Sequence, residues 1–359
     1  MRRLLYITTN IHNSGGVAKV LSLKLNYLVS VLNYEVHVLN NGANYEETFF
    51  KFDDRIHFHE TGIRKLKLLN FNQYKKIVNT IISTIDPEII INTDNGLKGS
   101  LFVYICKQQV PLIYERHCGK QLVFDTKRQH YKFKLANYFT QRGLKRYARF
   151  VLLNKTHQLE WNSTNLTVIP NPIRIDKSSI SNTNRERIVL SVGRIAPEKG
   201  YVVLLLIWSK VVKKYPDWVL HIYGEGEKSN LKTLALNLGI SDSVQMYDAV
   251  QNVQEVYQNV SIYVSTSLME AFGLSIGEAM LNELPVISFK TAGASELIQD
   301  GVTGFLVNHG DIDHYVEIIC NLIDDPEKRK SVGLEAKDHA KKFSIESIMK
   351  QWNDLFMSI

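Results

Sequence analysis

Two glutamates stand eight positions apart in LMEAFGLSIGEAML, residues 268–281. On one unbroken helix that spacing would bring Glu270 and Glu278 near a single face. Gly273 interrupts the stretch, so a loop is expected to carry Glu270 and the first turns of a helix starting near Leu274 to carry Glu278. The backbone N–H groups of Phe272, Gly273 and Leu274 then lie at that helix's N-terminus, where they favour an anionic or oxygen-rich ligand. Two carboxylates beside such amides suit a ligand with both hydroxyls and phosphates, and a nucleotide sugar has both. The plainer alternative is a loop glutamate and a solvated helix-start glutamate with no ligand. Upstream, LSVGRIAPEKG at 190–200 places Arg194 and Lys199 on a Gly-flanked loop beyond a strand, an arrangement that suits a pyrophosphate.

The elements that must position these residues alternate along the whole chain. In the first half, strands are expected at 3–8, 35–39, 88–92, 111–114, 150–153 and 166–169, with helices at 17–32, 74–85 and 98–108. In the second half, strands are expected at 188–192, 219–223, 244–246, 261–265, 285–288 and 304–306. Helices there span 201–214, 228–238, 253–258, 274–281, 314–323 and 326–343. Strands alternating with helices of this length form parallel sheets covered on both faces. Two prolines and a Ser/Asn-rich stretch at 169–187 form a hinge. The expected fold class is therefore α/β: two doubly wound Rossmann-like domains facing across a cleft, with ligands at the carboxyl ends of strands.

Composition fits this picture. A chain of 359 residues exceeds one ordinary core. No apolar run is long enough to span a bilayer, and the start lacks the features of a secretory leader. Cys106, Cys118 and Cys320 are too scattered for a disulfide framework or zinc site, which points to the cytosol. Residues 1–175 hold 25 Lys+Arg against 12 Asp+Glu, and the rest hold 18 against 24. A basic half joined to an acidic half suggests domains with different partners.

Several segments together resemble the retaining glycosyltransferases of family 4, the glycosyl transferases group 1 with the GT-B fold. Their glutamate–seven residues–glutamate signature is matched by Glu270 and Glu278. Arg194 and Lys199 match the family's diphosphate-binding Arg and Lys. HIYGEGE at 221–227 resembles its glycine turn near the nucleotide, with Gly224 and Gly226. TAGASELIQDGVTGFLV at 291–307 resembles the segment after the next strand, where Gly293 and Glu296 match a Gly-x-x-Glu. NSGGVAKV resembles the Gly-Gly loop opening the first helix, with Gly15 and Gly16, and VIPNPI at 168–173 the end of the first domain. Ala271, Asp248 and Ala292 depart from positions where the family usually has Gly.

The resemblance implies an acceptor-binding Rossmann-like domain over 1–172 and a linker over 173–187. A nucleotide-sugar-binding domain over 188–343 follows, then a terminal helix over 344–359 crossing back to the first domain. It implies a glycosyltransferase, hexosyl or N-acetylhexosaminyl, that moves sugar from a nucleoside-diphosphate sugar, UDP ahead of GDP, to a saccharide acceptor in bacterial surface polysaccharide or glycoconjugate synthesis. Glu278 would hold ribose hydroxyls and Glu270 would sit by the transferred sugar. Arg194 and Lys199 would neutralise the leaving diphosphate. Gly15 and Gly16 would bring the first helix's N-terminus to the same group. His117, in IYERHCG beyond an N-domain strand, would stand near the donor sugar or the acceptor, a role that Arg116 or Glu115 could take instead. A lone histidine there is as often structural.

With Arg194 and Lys199 on the diphosphate, neither a metal nor another cofactor is expected. Asp311-Ile312-Asp313 has the spacing of a metal-binding Asp-x-Asp, but Asp311 reads as a helix N-cap. The stretch 127–150 holds eight Lys+Arg, no acid and six aromatics. It reads as a solvated helical face or as a site for an anionic membrane surface, with RKLKLLNF at 64–71 assisting. The membrane reading would suit a polyprenyl-diphosphate-linked acceptor and a cytoplasmic protein peripheral to the inner face of the cell membrane. Nucleic acid is not expected, because no recognition module accompanies the charge. Two rivals are a nucleotide-sugar epimerase on the same fold and a non-catalytic nucleotide-sugar sensor. A dehydrogenase is disfavoured, because GEGEKS lacks the third glycine of the dinucleotide fingerprint.

Overall fold

The computed structural model describes residues 2–9, 11–41, 48–63, 68–107, 109–120, 127–174, 185–251 and 253–359. Most of the expected hinge (175–184) and the basic residues 64–67 lie outside them. The chain divides into two compact units, 1–172 with 345–359 and 173–344.

Unit 1 runs β1 (Arg3–Thr8), α1 (Gly16–Ser30), β2 (Glu35–Asn40), β3 (His57–Glu60), α2 (Phe71–Ile85), β4 (Ile89–Asn92), α3 (Leu97–Ile105) and β5 (Leu112–Arg116). It continues through α4 (Lys127–Gly143), β6 (Arg149–Leu152), α5 (Lys155–Gln158) and β7 (Leu166–Val168). Its sheet has the order β3-β2-β1-β4-β5-β6-β7, parallel throughout. Alternate residues of β1 divide between two cores, which is why its sequence reads as an unbroken apolar run. Leu4 and Tyr6 pack with Leu21, Leu25 and Leu28 of α1, while Leu5 and Ile7 pack with Tyr74, Val78 and Phe102 of α2 and α3.

Unit 2 runs β8 (Ile188–Val192), α6 (Tyr201–Lys214), β9 (Val219–Tyr223), α7 (Ser229–Asn237), β10 (Val244–Tyr247), α8 (Gln254–Asn259) and β11 (Ile262–Ser265). It continues through α9 (Leu274–Leu281), β12 (Val286–Phe289), α10 (Ala292–Leu297), β13 (Phe305–Val307), α11 (Ile312–Asp324) and α12 (Pro326–Ala340). The sheet order is β10-β9-β8-β11-β12-β13, again parallel. Asp311 caps α11, its side chain accepting from the His314 N–H at 3.2 Å. The last helix, α13 (Ile345–Met357), belongs to unit 1, where Ile348, Met349, Trp352 and Phe356 enter the α1 core.

Both sheets are doubly wound, and both have a switch in strand order, between β1 and β4 and between β8 and β11. Loops leaving such neighbouring strands diverge and open a crevice at their carboxyl ends. Strand β3 corrects the sequence expectation, which placed no strand there. HFHE alternates weakly and sits at the sheet's edge, so backbone pairing to β2, His37 opposite His57, makes it a strand where side chains give little signal.

Candidate active site

The switch in unit 2 collects most of the expected residues. The loop 193–200 leaves β8 and is pinned from two sides. On one side Gly193 N–H donates to the Tyr223 carbonyl at 2.9 Å, and Ile195 N–H to the Glu225 carbonyl at 2.7 Å. Here a Cβ on Gly224 would overlap the Gly193 carbonyl oxygen, so only glycine allows the two turns to meet. Gly226 follows on the same turn. On the other side Leu268 N–H donates to the Glu198 carbonyl at 2.8 Å, and the Thr266 hydroxyl donates to the Gly200 carbonyl at 3.1 Å.

This pinning brings Lys199 to Glu270. Their side chains form an ion pair, 19% and 14% exposed, and the Ser267 hydroxyl donates to the same Glu270 oxygen at 3.1 Å. Arg194 behaves differently. It pairs with Glu198, four residues on, at 2.8 Å, and its side chain is 60% exposed.

Gly273 stands at φ +87° as the N-cap of α9, a conformation that side-chain-bearing residues rarely adopt. No side chain caps this helix. Phe272 is buried with its ring edge-on to Phe343, 5.6 Å between centroids, and Leu274 begins the helix. The Gly293 N–H donates to the Glu270 carbonyl at 2.8 Å, so the start of α10 fixes the loop from behind. Glu278, in the second turn of α9, is 7% exposed and accepts from the Tyr257 hydroxyl at 3.3 Å.

Sequence reasoning missed the tyrosines that underlie this site. Tyr263 of β11 donates to the Ser275 hydroxyl at 2.8 Å. Burial pushes its hydroxyl's pKa up, and the charges of Glu270 and Glu278 push the same way, so both carboxylates act on this one ring. Tyr201 donates to the Gly193 carbonyl at 2.8 Å and holds the cation-bearing loop to α6. A tyrosine between Ile262 and Val264 in β11, IYVS, was the available signal.

Unit 1 carries the remaining residues. Gly15 is the extended N-cap of α1, its N–H donating to the Asn13 side chain at 3.0 Å, and Gly16 is the first helical residue. His117 directly follows β5. Its N–H donates to the Asn95 side chain at 3.0 Å. Its ring is buried, with no hydrogen-bond partner among the described residues, and its Nε2 lies 3.5 Å from Glu115. Burial pushes its pKa down, Glu115 opposes this, and Lys24 adds to the fall. Glu115 itself receives both its oxygens' bonds, at 2.6 Å, from Lys24 of α1. Arg116 is fully buried between Phe133 and Trp161, donating to Asn137 at 2.6 Å.

Among the described residues, no group of three or more His, Cys, Asp or Glu side chains is placed to hold a metal ion. Nor is any helix there long and apolar enough to cross a membrane.

The chain is similar end to end to known proteins. It is 26% identical to an uncharacterized glycosyltransferase of Haemophilus influenzae, over 99% of this chain and all of the relative. It is 27% identical to the amylovoran biosynthesis glycosyltransferase AmsD of Erwinia amylovora, over 99% of each chain. A TarM variant of S. aureus, solved with fondaparinux, alpha-GlcNAc-glycerol and UDP, superposes with a TM-score of 0.85 at 16% identity. That superposition covers 99% of this chain and all of the other, and it shows the shared two-domain GT-B fold. Residues 173–339 match the family described as Glycosyl transferases group 1, so the chain carries a glycosyltransferase group 1 domain built around the β8–β11 switch.

Proposed function

We propose that this protein is a retaining glycosyltransferase that uses a nucleoside-diphosphate sugar, UDP ahead of GDP, to extend a lipid-linked saccharide acceptor in bacterial surface polysaccharide or glycoconjugate synthesis. The observation that carries the reading is the Lys199–Glu270 pair at the strand switch, beside the uncapped start of α9. The relatives' names favour polysaccharide assembly, and UDP in the TarM complex favours that base.

In this reading the diphosphate lies at the α9 N-terminus, with Arg194 and Lys199 as its cations. Lys199 turns from Glu270 to the phosphate, and the released Glu270 carboxylate accepts from a hydroxyl of the sugar. Glu278 accepts from the ribose hydroxyls. The bond from the anomeric carbon to the phosphate oxygen breaks, and the acceptor oxygen bonds to that carbon from the same face. The acceptor's proton passes to the departing phosphate oxygen. The two protein cations supply the charge that a metal would otherwise bring, so turnover is expected to survive a chelator. His117 is assigned to the sugar side of the reaction.

Thermal shift with UDP, GDP and their sugars tests the reading. One diphosphate should raise the melting temperature, and Glu278→Ala should weaken its binding by roughly ten- to a hundredfold, the loss of charged hydrogen bonds. The configuration of the new glycosidic bond, read by NMR, should match that of the donor. No shift with any nucleotide would overturn the proposed site, and an inverted product would overturn the mechanism.

A further inference from the structure

One helical layer of unit 1 has a one-sided charge. Helices α2 and α3 pack on the sheet face that carries Leu5, Ile90 and Tyr114, and α4 packs on α3. Asn79 of α2 donates to the Ile105 carbonyl at the end of α3 at 2.9 Å, and Tyr104 of α3 donates to the Phe139 carbonyl of α4 at 3.0 Å. None of the three helices contains an aspartate or glutamate. Lys75, Lys76 and Lys107 line a hollow of about 520 Å³ together with Asn72, Asn79 and Ser83.

The outward face of α4 reads Tyr131, Lys134, Leu135, Tyr138 and Arg142, with Lys132 beside it. Tyr131, Leu135 and Tyr138 are 70%, 46% and 51% exposed. Steps of four and three put them in one stripe along the helix. Arg142 donates to the Tyr138 hydroxyl and lies 5.4 Å from that ring's centre, so cation and ring share the surface.

Lysines alone would suit any polyanion. Three large side chains standing out between them, a leucine among them, do not suit a polyanion of carboxylates or phosphates alone, which gives them nothing to enter. An anionic bilayer satisfies both. Tyrosine and leucine settle at the boundary of headgroups and acyl chains, and Lys and Arg stems reach up to the phosphates.

We propose that the α2–α3–α4 face of unit 1 docks the protein on an anionic lipid bilayer, with Tyr131, Leu135 and Tyr138 entering the interface and Lys132, Lys134 and Arg142 on the lipid phosphates. The inference goes beyond the transferase reading and does not depend on it, because docking is measured without donor or acceptor. If it holds, the same face would keep a lipid-linked acceptor within the protein's reach.

Co-sedimentation of the full chain with vesicles tests this. Vesicles of phosphatidylcholine mixed with phosphatidylglycerol should carry the protein down, vesicles of phosphatidylcholine alone should not, and salt should weaken the binding. Lys132→Ser with Lys134→Ser should weaken it about thirtyfold. Tyr131→Ser, Leu135→Ser and Tyr138→Ser together should abolish it while leaving the melting temperature unchanged, because all three side chains are exposed. Should the triple variant lose its fold, Leu135→Ser alone is read the same way. Three outcomes would overturn the proposal: no pelleting with anionic vesicles, a folded serine variant that pellets like the parent, or capture by polyglutamate without vesicle binding.

Discussion

The protein uses the same two residue types twice, in opposite surroundings. In unit 2 the Lys199–Glu270 pair sits at the mouth of the strand switch, partly wet, with the Ser267 hydroxyl on the same carboxylate. In unit 1 the Lys24–Glu115 pair is 0% and 1% exposed, and the Lys24 ammonium lies 3.6 Å from the centre of the Trp352 ring. Water and Ser267 can replace Lys199 at Glu270 for little cost. Nothing can replace Lys24 at Glu115, because an unpaired charge in a dry interior is costly. The first pair can therefore exchange its lysine for a ligand's phosphate, whereas the second is a fixed strut joining α1, β5 and α13. An ion pair alone says little about function; what decides is whether a partner can leave.

The largest expected effect follows from the strut. Lys24→Met strands the Glu115 carboxylate and should cost about 3–5 kcal/mol of stability. Lys24→Met with Glu115→Gln removes both charges and should recover most of that loss. Urea or thermal unfolding of the three proteins measures it. A single variant as stable as the parent would erase the distinction between the pairs.

The sequence carried unit 2's site further than unit 1's, and for a physical reason. Loops at a strand switch are built from Gly, Lys, Arg and Glu at close spacing, so Gly193–Lys199 and Glu270–Glu278 stand out as short motifs. The bounds of β8, β9, α6 and α9 were legible to the residue, because the apolar period changes sharply at Gly193, Gly224, Gly200 and Gly273. Lys24, Glu115 and Trp352 lie far apart in the chain and on different elements. Lys24 reads as one of several polar residues along α1, with nothing local to show that it is buried. Edge strand β3 failed for the related reason that its pairing is set by β2's backbone rather than by its own side chains. Tyr263 is marked in the sequence only by its place in β11 and Tyr257 by nothing local, and only the folded chain puts their hydroxyls beside Ser275, with Tyr257 also reaching Glu278.

A smaller effect should separate the wet pair from the dry one. Lys199→Met leaves Glu270 with Ser267 and solvent, so stability should change by no more than about 1 kcal/mol. Under the proposed function, diphosphate binding should nevertheless fall clearly. Melting curves with and without nucleotide report both quantities at once. A large loss of intrinsic stability with unchanged nucleotide binding would make Lys199 a second strut.

The smallest effect concerns pH, and His117 gives the dry region a share of it. Burial holds the pKa of His117 below its ordinary value, more strongly than Glu115 raises it, with Lys24 adding to the fall. An unfolded histidine titrates near about 6.5. Above that value both states are neutral and full stability is present. As pH falls below it, the unfolded chain takes up the proton first, so stability drops until the folded value is reached. His37, His59, His157, His221 and His339 are shifted the same way, burial being the largest cause for each, and contribute in the same direction. The melting temperature should therefore fall between about pH 7 and pH 5. His117→Asn, which cannot titrate, should flatten part of that fall, whereas Lys199→Met should leave the slope as it is. Equal slopes for the parent and His117→Asn would show that His117 takes up its proton as readily folded as unfolded, and the interior around Glu115 would then be wetter than the Lys24 strut requires.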